Sequence, residues 1–303
     1  MDARRLAYFT CILEEGGITA AAQRLRLTQP ALTRSMKLLE EELGVVLFER
    51  TLSGITPTSY GEALYARAKA ILSEIQRAEE EIATLKGMAG EHFRIGAPPT
   101  LTGSIVARAV GETRRRFPEL QIRIQEGQSQ VLFRALQRRE LDVCLAYAGN
   151  VAKEHPFRSR LIFRDQLKIT ASAKHPLTQL ETVTLAELAA YPWCAAATVI
   201  WPVVERMFES AGLKPMPRPI DPGGSVQFLK ALVSSSDCLT LLPRHAMTGE
   251  LARGELTVLP VKGVSLDREI IALSRREPKL PMYGRAFIAS LIRTAAALLQ
   301  EAP

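Results

Sequence analysis

Thr28, Gln29, Pro30, Thr33, Arg34 and Lys37 fall within one short stretch and carry the clearest chemistry in the chain. A glutamine amide presents a donor beside an acceptor, which matches the major-groove edge of adenine, and a guanidinium matches that of guanine. Threonine hydroxyls and a lysine ammonium suit phosphate oxygens. On an arbitrary helix the same residues make a solvated polar face, so the elements that hold them decide between the two readings. Elsewhere the reactive residue types form no constellation. His92, His155, His175 and His245 have no metal-ligand spacing, and the sequence lacks H-E-x-x-H, G-x-S-x-G and a phosphate-cradling glycine loop. No enzyme activity, metal or cofactor is expected. Cys11, Cys144, Cys194 and Cys238 are scattered, without a C-x-x-C pair, and are expected as small buried apolar residues. The rival reading is a thiol sensor centred on Cys194 or Cys238.

The surrounding elements fit a DNA reader, and on spacing alone they fit a structural helical hairpin with a solvated polar face equally well. Thr28 can cap a helix by accepting from a free backbone N–H, and Pro30 falls in the first turn, where no N–H is needed. Leu32, Met36, Leu39 and Leu43 follow at spacings of 4, 3 and 4, and Gly44 stops the helix. Upstream, Leu6, Phe9, Ile12 and Leu13 recur at helical spacing before Gly16-Gly17. Ala20-Ala21-Ala22 and Leu25 form a second short helix whose small residues allow a close approach, and Arg26-Leu27-Thr28 is a tight connection. The apolar run 45–50, a turn at Thr51-Leu52-Ser53-Gly54 and Ile55-Thr56-Pro57 make a two-stranded wing, with Arg50 and Thr51 placed for phosphate or minor-groove contact. The pattern predicts an all-α winged helix-turn-helix over residues 1–58, whose third helix enters the major groove. Bulk charge gives this no support. The chain carries +7, but residues 1–58 hold equal numbers of cations and anions, and the excess lies further on, as at Arg114-Arg115-Arg116 and Arg138-Arg139.

Beyond Thr58 the periodicity changes. Thr58 or Ser59 can cap a new helix, and Ser59-x-x-Glu62 has the form of a capping box. Leu64, Ala68, Ile71, Ile75, Ala78, Ile82 and Leu85 alternate at spacings of 4 and 3. This narrow heptad seam is poorly buried by one helix alone. Residues 59–89 are expected as a dimerisation helix about 40 Å long, ending in a hinge at Lys86-Gly87-Met88-Ala89-Gly90. A dimer presents two reading helices, which suits a two-fold-related site.

Residues 90–303 alternate strand and helix patterns. Strands are expected at 93–96, 120–124, 141–146, 165–171, 193–196, 239–242, 256–261 and 270–274, and helices at 101–117, after Ser129 and at 282–299. That is an α/β domain with a largely parallel sheet. Such domains bind ligands beside helix N-termini. Thr100, Gln128, Ser129, Thr198 and Ser225 stand at such places, where hydroxyls and positive dipole ends favour a small anion, although each alone is also an ordinary helix cap. No uninterrupted apolar run approaches the length of a membrane span, and the N-terminus has no signal-peptide pattern. A cytoplasmic chain with no membrane partner is expected.

Thr28-Gln29-Pro30-Ala31-Leu32-Thr33-Arg34, Leu39-Glu40-Glu41-Glu42-Leu43-Gly44, Leu47-Phe48-Glu49-Arg50 and Gly54-Ile55-Thr56-Pro57-Thr58 together resemble the signature of LysR-type transcriptional regulators. His175-Pro176-Leu177 and Leu242-Pro243-Arg244 are further landmarks of that family. The resemblance implies double-stranded DNA as partner, linker-helix homodimers paired into homotetramers on interrupted inverted repeats, a small organic anion as effector, and contact with RNA polymerase in an activator. It also implies a multidomain chain ending in an α/β two-lobed effector domain resembling type 2 periplasmic binding proteins. Lobe I would span 90–162 and 267–303 and lobe II 163–266, with crossings near 161–164 and 266–269. Carried over by position, the effector pocket includes Pro99, Thr100, Gln128, Ser129, Tyr147, Thr198 and Ile200. A solute-binding protein would share the lobes, but it would not need residues 1–85.

Overall fold

The structure is a computed structural model that describes residues 1–51, 54–86, 90–152, 154–214 and 220–300. It divides into two compact units, Met1–Phe93 with Arg134–Asp142, and Arg94–Phe133 with Val143–Pro303.

In the first unit, helices α1 (Ala3–Glu15), α2 (Ile18–Leu25) and α3 (Gln29–Leu43) precede strands β1 (Phe48–Thr51) and β2 (Gly54–Pro57) and the long helix α4 (Ser59–Leu85). Leu52 and Ser53 of the expected turn, and Gly87, Met88 and Ala89 of the expected hinge, lie outside the described residues. Asp2 caps α1 by accepting from the Arg5 N–H at 2.8 Å. Gly44, with φ 68°, ends α3 in the left-handed region that glycine adopts without strain. Phe9, Ile12, Ala21, Leu32, Leu39 and Leu47 are buried in one core, so the three helices and the approach to the wing are held by a single apolar cluster. The strand begins later than the apolar run suggested, and Val46 is exposed.

Of the two caps open to α4, Thr58 is the one used. The Thr58 hydroxyl accepts from the Gly61 N–H at 3.1 Å and donates to the Val46 carbonyl at 2.8 Å, while the Thr58 N–H donates to the Leu47 carbonyl at 3.1 Å. These bonds dock the start of the helix, and a Cβ on Gly61 would stand 2.2 Å from the Leu47 oxygen. An expectation does change at the seam. Ala68 is fully buried in the core of its own unit, with Leu64 half-buried against it, whereas Ile71, Ile75, Ala78, Ile82 and Leu85 are exposed. The first positions of the seam serve the intrachain core because α4 starts against α1 and β2. Another flank of α4 binds residues 138–142 of the same unit. Ser73 donates to the Arg139 carbonyl at 2.7 Å, Arg77 donates to it at 3.1 and 3.3 Å and pairs with Asp142 at 2.5 Å, and Arg138 stacks on Tyr65 at 4.7 Å.

The chain continues through β3 (His92–Ala97), α5 (Pro99–Leu101), a π-helical turn (Thr102–Val106), α6 (Ala107–Arg116), β4 (Gln121–Glu126), α7 (Ser129–Gln137), β5 (Val143–Tyr147) and β6 (Arg158–Ser172). It then forms α8 (Leu185–Leu188), α9 (Trp201–Glu209), α10 (Val226–Ser235), β7 (Thr240–Pro243), α11 (Thr248–Ala252), β8 (Leu256–Val258), β9 (Asp267–Ser274) and α12 (Met282–Gln300). The strands of the second unit lie in the order β4-β3-β5-β9-β6-β7, with β8 on β6. The expectation of a largely parallel sheet is corrected. β3 and β5 are parallel, but β9 runs antiparallel to β5 and β6, and β6 runs antiparallel to β7 and β8. The chain leaves lobe I on β6 and returns on β9, and two strands that run opposite ways side by side must pair antiparallel.

Residues 193–196 form no strand, only single bridges from Trp193 to Leu239 and from Cys194 to Ile220. The helix expected at 101–117 is broken at its start, where the Thr102 and Ser104 hydroxyls bond the carbonyls of Pro99 and Thr100. Helix α12 is long and apolar enough to cross a membrane, yet Phe287, Leu291 and Ala295 are fully buried and the helix lies beside α6. Replacing Gly61 with alanine is expected to lower stability by about 1–3 kcal/mol through overpacking against a backbone oxygen. Denaturant unfolding of the full chain measures this, and an unchanged midpoint would contradict the docking of α4.

Candidate functional site

Thr28, Gln29, Pro30, Arg34 and Lys37 are exposed on α3 or at its cap, and Thr33 is half-buried. The Thr28 hydroxyl accepts from the Ala31 N–H at 3.4 Å. Gln29, Thr33 and Lys37 recur every four residues and Pro30 and Arg34 form the adjoining row, so one helix face carries them over about 12 Å of axis. The acidic run at the end of α3 is turned to other uses. Glu40 accepts from the Leu47 N–H at 2.7 Å, and Glu42 pairs with Arg5 at 2.8 Å and with the N-terminus. Arg24 is neutralised by Glu15 at 2.5 Å. Arg26 and Arg34 have no carboxylate partner among the described residues, and Lys37 has only Glu41 at 3.7 Å, both side chains being more than half exposed. A domain of zero net charge thus leaves cations free at the turn and on α3. Arg26 was not singled out from sequence; the one signal for it was its place in the tight connection. The side chains of Arg50 and Thr51 lie outside the described residues.

The effector candidates all belong to the second unit. The Thr100 and Tyr147 hydroxyls are 2.5 Å apart, the Tyr147 N–H donates to the buried Ser129 hydroxyl at 3.4 Å, and the Gln128 amide donates to the Thr198 hydroxyl at 3.2 Å. Pro99 and Thr100 line a cleft of about 760 Å³ together with Ser225, Gln227, Lys230 and Glu250. Ile200 instead packs against the lobe II core around Trp193 and Phe208. Ser225 does cap its helix, accepting from the Phe228 N–H at 3.1 Å, whereas the hydroxyls of Thr100, Ser129 and Thr198 bond elsewhere.

Behind Tyr147 lies a charged cluster that sequence reasoning missed. The Arg268 guanidinium stacks on the Tyr147 ring at 4.4 Å and donates to both oxygens of Asp165 at 2.9 and 2.5 Å. His245 Nε2 lies 3.0 Å from Asp165 Oδ2, and its Nδ1 lies 3.0 Å from the Ser104 hydroxyl. Asp165 and Arg268 are register partners on β6 and β9, and the Asp165 and His245 side chains are each 1% exposed. Burial pushes the Asp165 carboxyl upward, but hydrogen bonds from His245 and Arg268 outweigh it and hold the group below the usual carboxylate range. Burial pushes the Tyr147 hydroxyl up, so it keeps its proton. No spacing announces this cluster, because its members are scattered from Ser104 to Arg268. The four cysteines are buried, and burial pushes Cys144 up to about 12 and Cys194 up to about 11. That disfavours the reactive thiolate.

A winged helix-turn-helix with cations on its third helix, followed by a seamed helix and a two-lobed domain with a polar cleft, defines a ligand-responsive DNA-binding regulator. Residues 3–62 match the family model for the bacterial regulatory helix-turn-helix protein, lysR family, and residues 86–296 match that for the LysR substrate binding domain. The chain belongs to the LysR family of transcriptional regulators, which are not enzymes. It is 29% identical over 305 residues to the HTH-type transcriptional regulator CbbR of Xanthobacter flavus, covering 99% of this chain and 90% of that one. It is 30% identical over 271 residues to CfxR of Cupriavidus necator, covering 88% and 83%. The crystal structure of CbnR, a LysR family transcriptional regulator, superposes with a TM-score of 0.69 at 21% identity, covering 97% of this chain and 99% of that one. Full-length CbnR complexed with its target DNA gives 0.68 at 20% identity, covering 97% and 100%.

Arg268→Met leaves the Asp165 carboxylate buried without its cation and is expected to lower stability by about 3–5 kcal/mol near neutral pH. A carboxyl whose folded-state pKa is depressed stabilises the fold above its unfolded value, and that contribution is lost as pH falls through the folded value. The gap between parent and variant in urea unfolding should therefore narrow in acid. A gap that stays constant with pH would contradict the assigned pair.

Proposed function

We propose that the chain reads an interrupted inverted repeat in double-stranded DNA as a dimer of dimers, under the control of a small organic anion held in the cleft of the second unit. The observation that carries the reading is the exposed face of α3, where Gln29, Arg34 and Lys37 stand on a capped helix whose acidic end is turned to intradomain contacts. Self-association rests on the exposed apolar positions Ile71, Ile75, Ile82 and Leu85 of α4. Supporting a small ligand are the hydroxyl and amide groups of Thr100, Tyr147, Gln128 and Thr198, and the cleft that Thr100 lines. Ligand draws the two lobes together, which changes how the dimers sit against each other and hence how the DNA bends. As an activator the protein would then contact RNA polymerase in the cytoplasm. The burial of all four thiols speaks against control by peroxide.

Three experiments test this reading. On a site selected from random sequence, Gln29→Ala and Arg34→Ala are each expected to cost about 1–3 kcal/mol of discrimination. Lys37→Ala should instead weaken binding to every sequence and flatten the salt dependence. Equal losses on random DNA for all three would overturn the assigned roles. Ile75→Asp should lower the mass found by sedimentation, and an unchanged mass would remove the α4 seam from the assembly. In a thermal-shift screen, organic acids should raise the melting temperature where amines and neutral polyols do not; stabilisation by the latter classes alone would overturn the anionic ligand.

A further inference from the structure

Six side chains of the second unit close a ring around the point where the lobes join. The Thr100 hydroxyl meets the Tyr147 hydroxyl at 2.5 Å, the Tyr147 ring carries the Arg268 guanidinium at 4.4 Å, and Arg268 holds Asp165 at 2.9 and 2.5 Å. Asp165 meets His245 at 3.0 Å, His245 meets the Ser104 hydroxyl at 3.0 Å, and the Ser104 oxygen lies 3.4 Å from the Thr100 carbonyl. Asp165 and Arg268 belong to the two crossing strands, whereas Ser104 sits on the π-helical turn of lobe I and His245 follows β7 in lobe II. The Ser104–His245 bond therefore spans the lobes.

The chemistry of the ring gives this bond a direction. A carboxylate only accepts, so the His245 nitrogen facing Asp165 carries the proton, and an Nδ1 without a proton accepts from Ser104. A serine hydroxyl has one proton. It goes either to His245, across the lobes, or to the Thr100 carbonyl, within lobe I. His245 is buried, so losing the serine leaves its Nδ1 without the partner the structure gives it. Thr100 also lines the cleft.

We propose that Ser104 is a two-position latch between the lobes, holding them together when its hydroxyl donates to His245 and freeing them when it donates to the Thr100 carbonyl. The inference deepens the ligand-gated reading above and rests on it for its purpose: occupancy of the cleft acts on Thr100, which shares both its hydroxyl and its carbonyl with the ring. The buried Asp165–Arg268 pair anchors the latch because neither charge can leave its partner without large cost.

The test uses the full chain without ligand. Spin labels on Arg115→Cys in α6 and Glu205→Cys in α9, both exposed positions, report the inter-lobe distance. Ser104→Ala should lengthen and broaden the distance distribution while lowering the melting temperature by no more than about 4 °C, the shift expected for one lost hydrogen bond. Ser104→Thr, which keeps the hydroxyl, should restore the parent distribution. Should Ser104→Ala not fold, His245→Phe serves in its place, since it keeps a ring of similar shape, offers Ser104 no acceptor, and leaves Asp165 held by Arg268; the same lengthening is expected. Distributions that superimpose on the parent's would overturn the latch. Because the distances are read without ligand, failure of every organic acid to bind would count against the anionic ligand and leave the latch to stand or fall on its own result.

Discussion

Strands β6 and β9 pair from Arg158 opposite Ser274 to Gln166 opposite Asp267, and both lobes of the second unit hang on this ladder. One end of β9 pairs with β5 of lobe I, and the far part of β6 pairs with β7 and β8 of lobe II. Where the two strands pass between the lobes, the sheet buries Asp165 against Arg268. A buried ion pair adds little net stability when compared with apolar residues of the same size, but it tolerates no rearrangement that separates the charges. The crossing is therefore specified in register, and the polar groups around it, from Tyr147 to His245, take their positions from it.

The DNA-reading domain meets a different constraint. It carries no net charge, so its attraction for phosphate comes from arrangement rather than from excess. Its carboxylates have structural work within the domain: Glu40 satisfies a backbone N–H ahead of the wing, Glu42 holds Arg5, and Glu15 holds Arg24. Among the described residues, Arg26 at the turn and Arg34 on the exposed face of α3 have no carboxylate partner. A helix that buries Leu32, Met36 and Leu39 on one side presents Gln29, Arg34 and Lys37 on the other, and the same 3.6-residue period sets both faces.

Helix α4 shows how one apolar stripe can be divided. Its first turns complete the core of the reading domain through Ala68 and Leu64, and its later turns leave isoleucines in solvent. A third flank is held by the Arg139 carbonyl, which takes donors from Ser73 and Arg77, and Arg139 itself adopts a left-handed conformation with φ 61°. The arginines that stood out as surplus charge are thus partly engaged in this contact.

Local rules made the first unit largely legible. A cap, a proline in the first turn, a 4-3-4 stripe and a glycine stop are short-range signals, and helix-turn-helix packing follows from them with few long-range contacts. The strands of the second unit were mostly legible too, apart from 193–196, but the broken helix after Pro99 and the short helices α8 and α11 were not. Sequence alone therefore determined most of the strands, the helices of the first unit, the polar face of α3 and the apolar seam of α4. Tertiary structure alone decided the direction of the sheet pairing, the division of the seam between core and surface, and the cluster of Ser104, Tyr147, Asp165, His245 and Arg268. Those depend on which distant segments meet, and a side chain's chemistry in a buried site is set by its neighbours in space, whose identities no local spacing records.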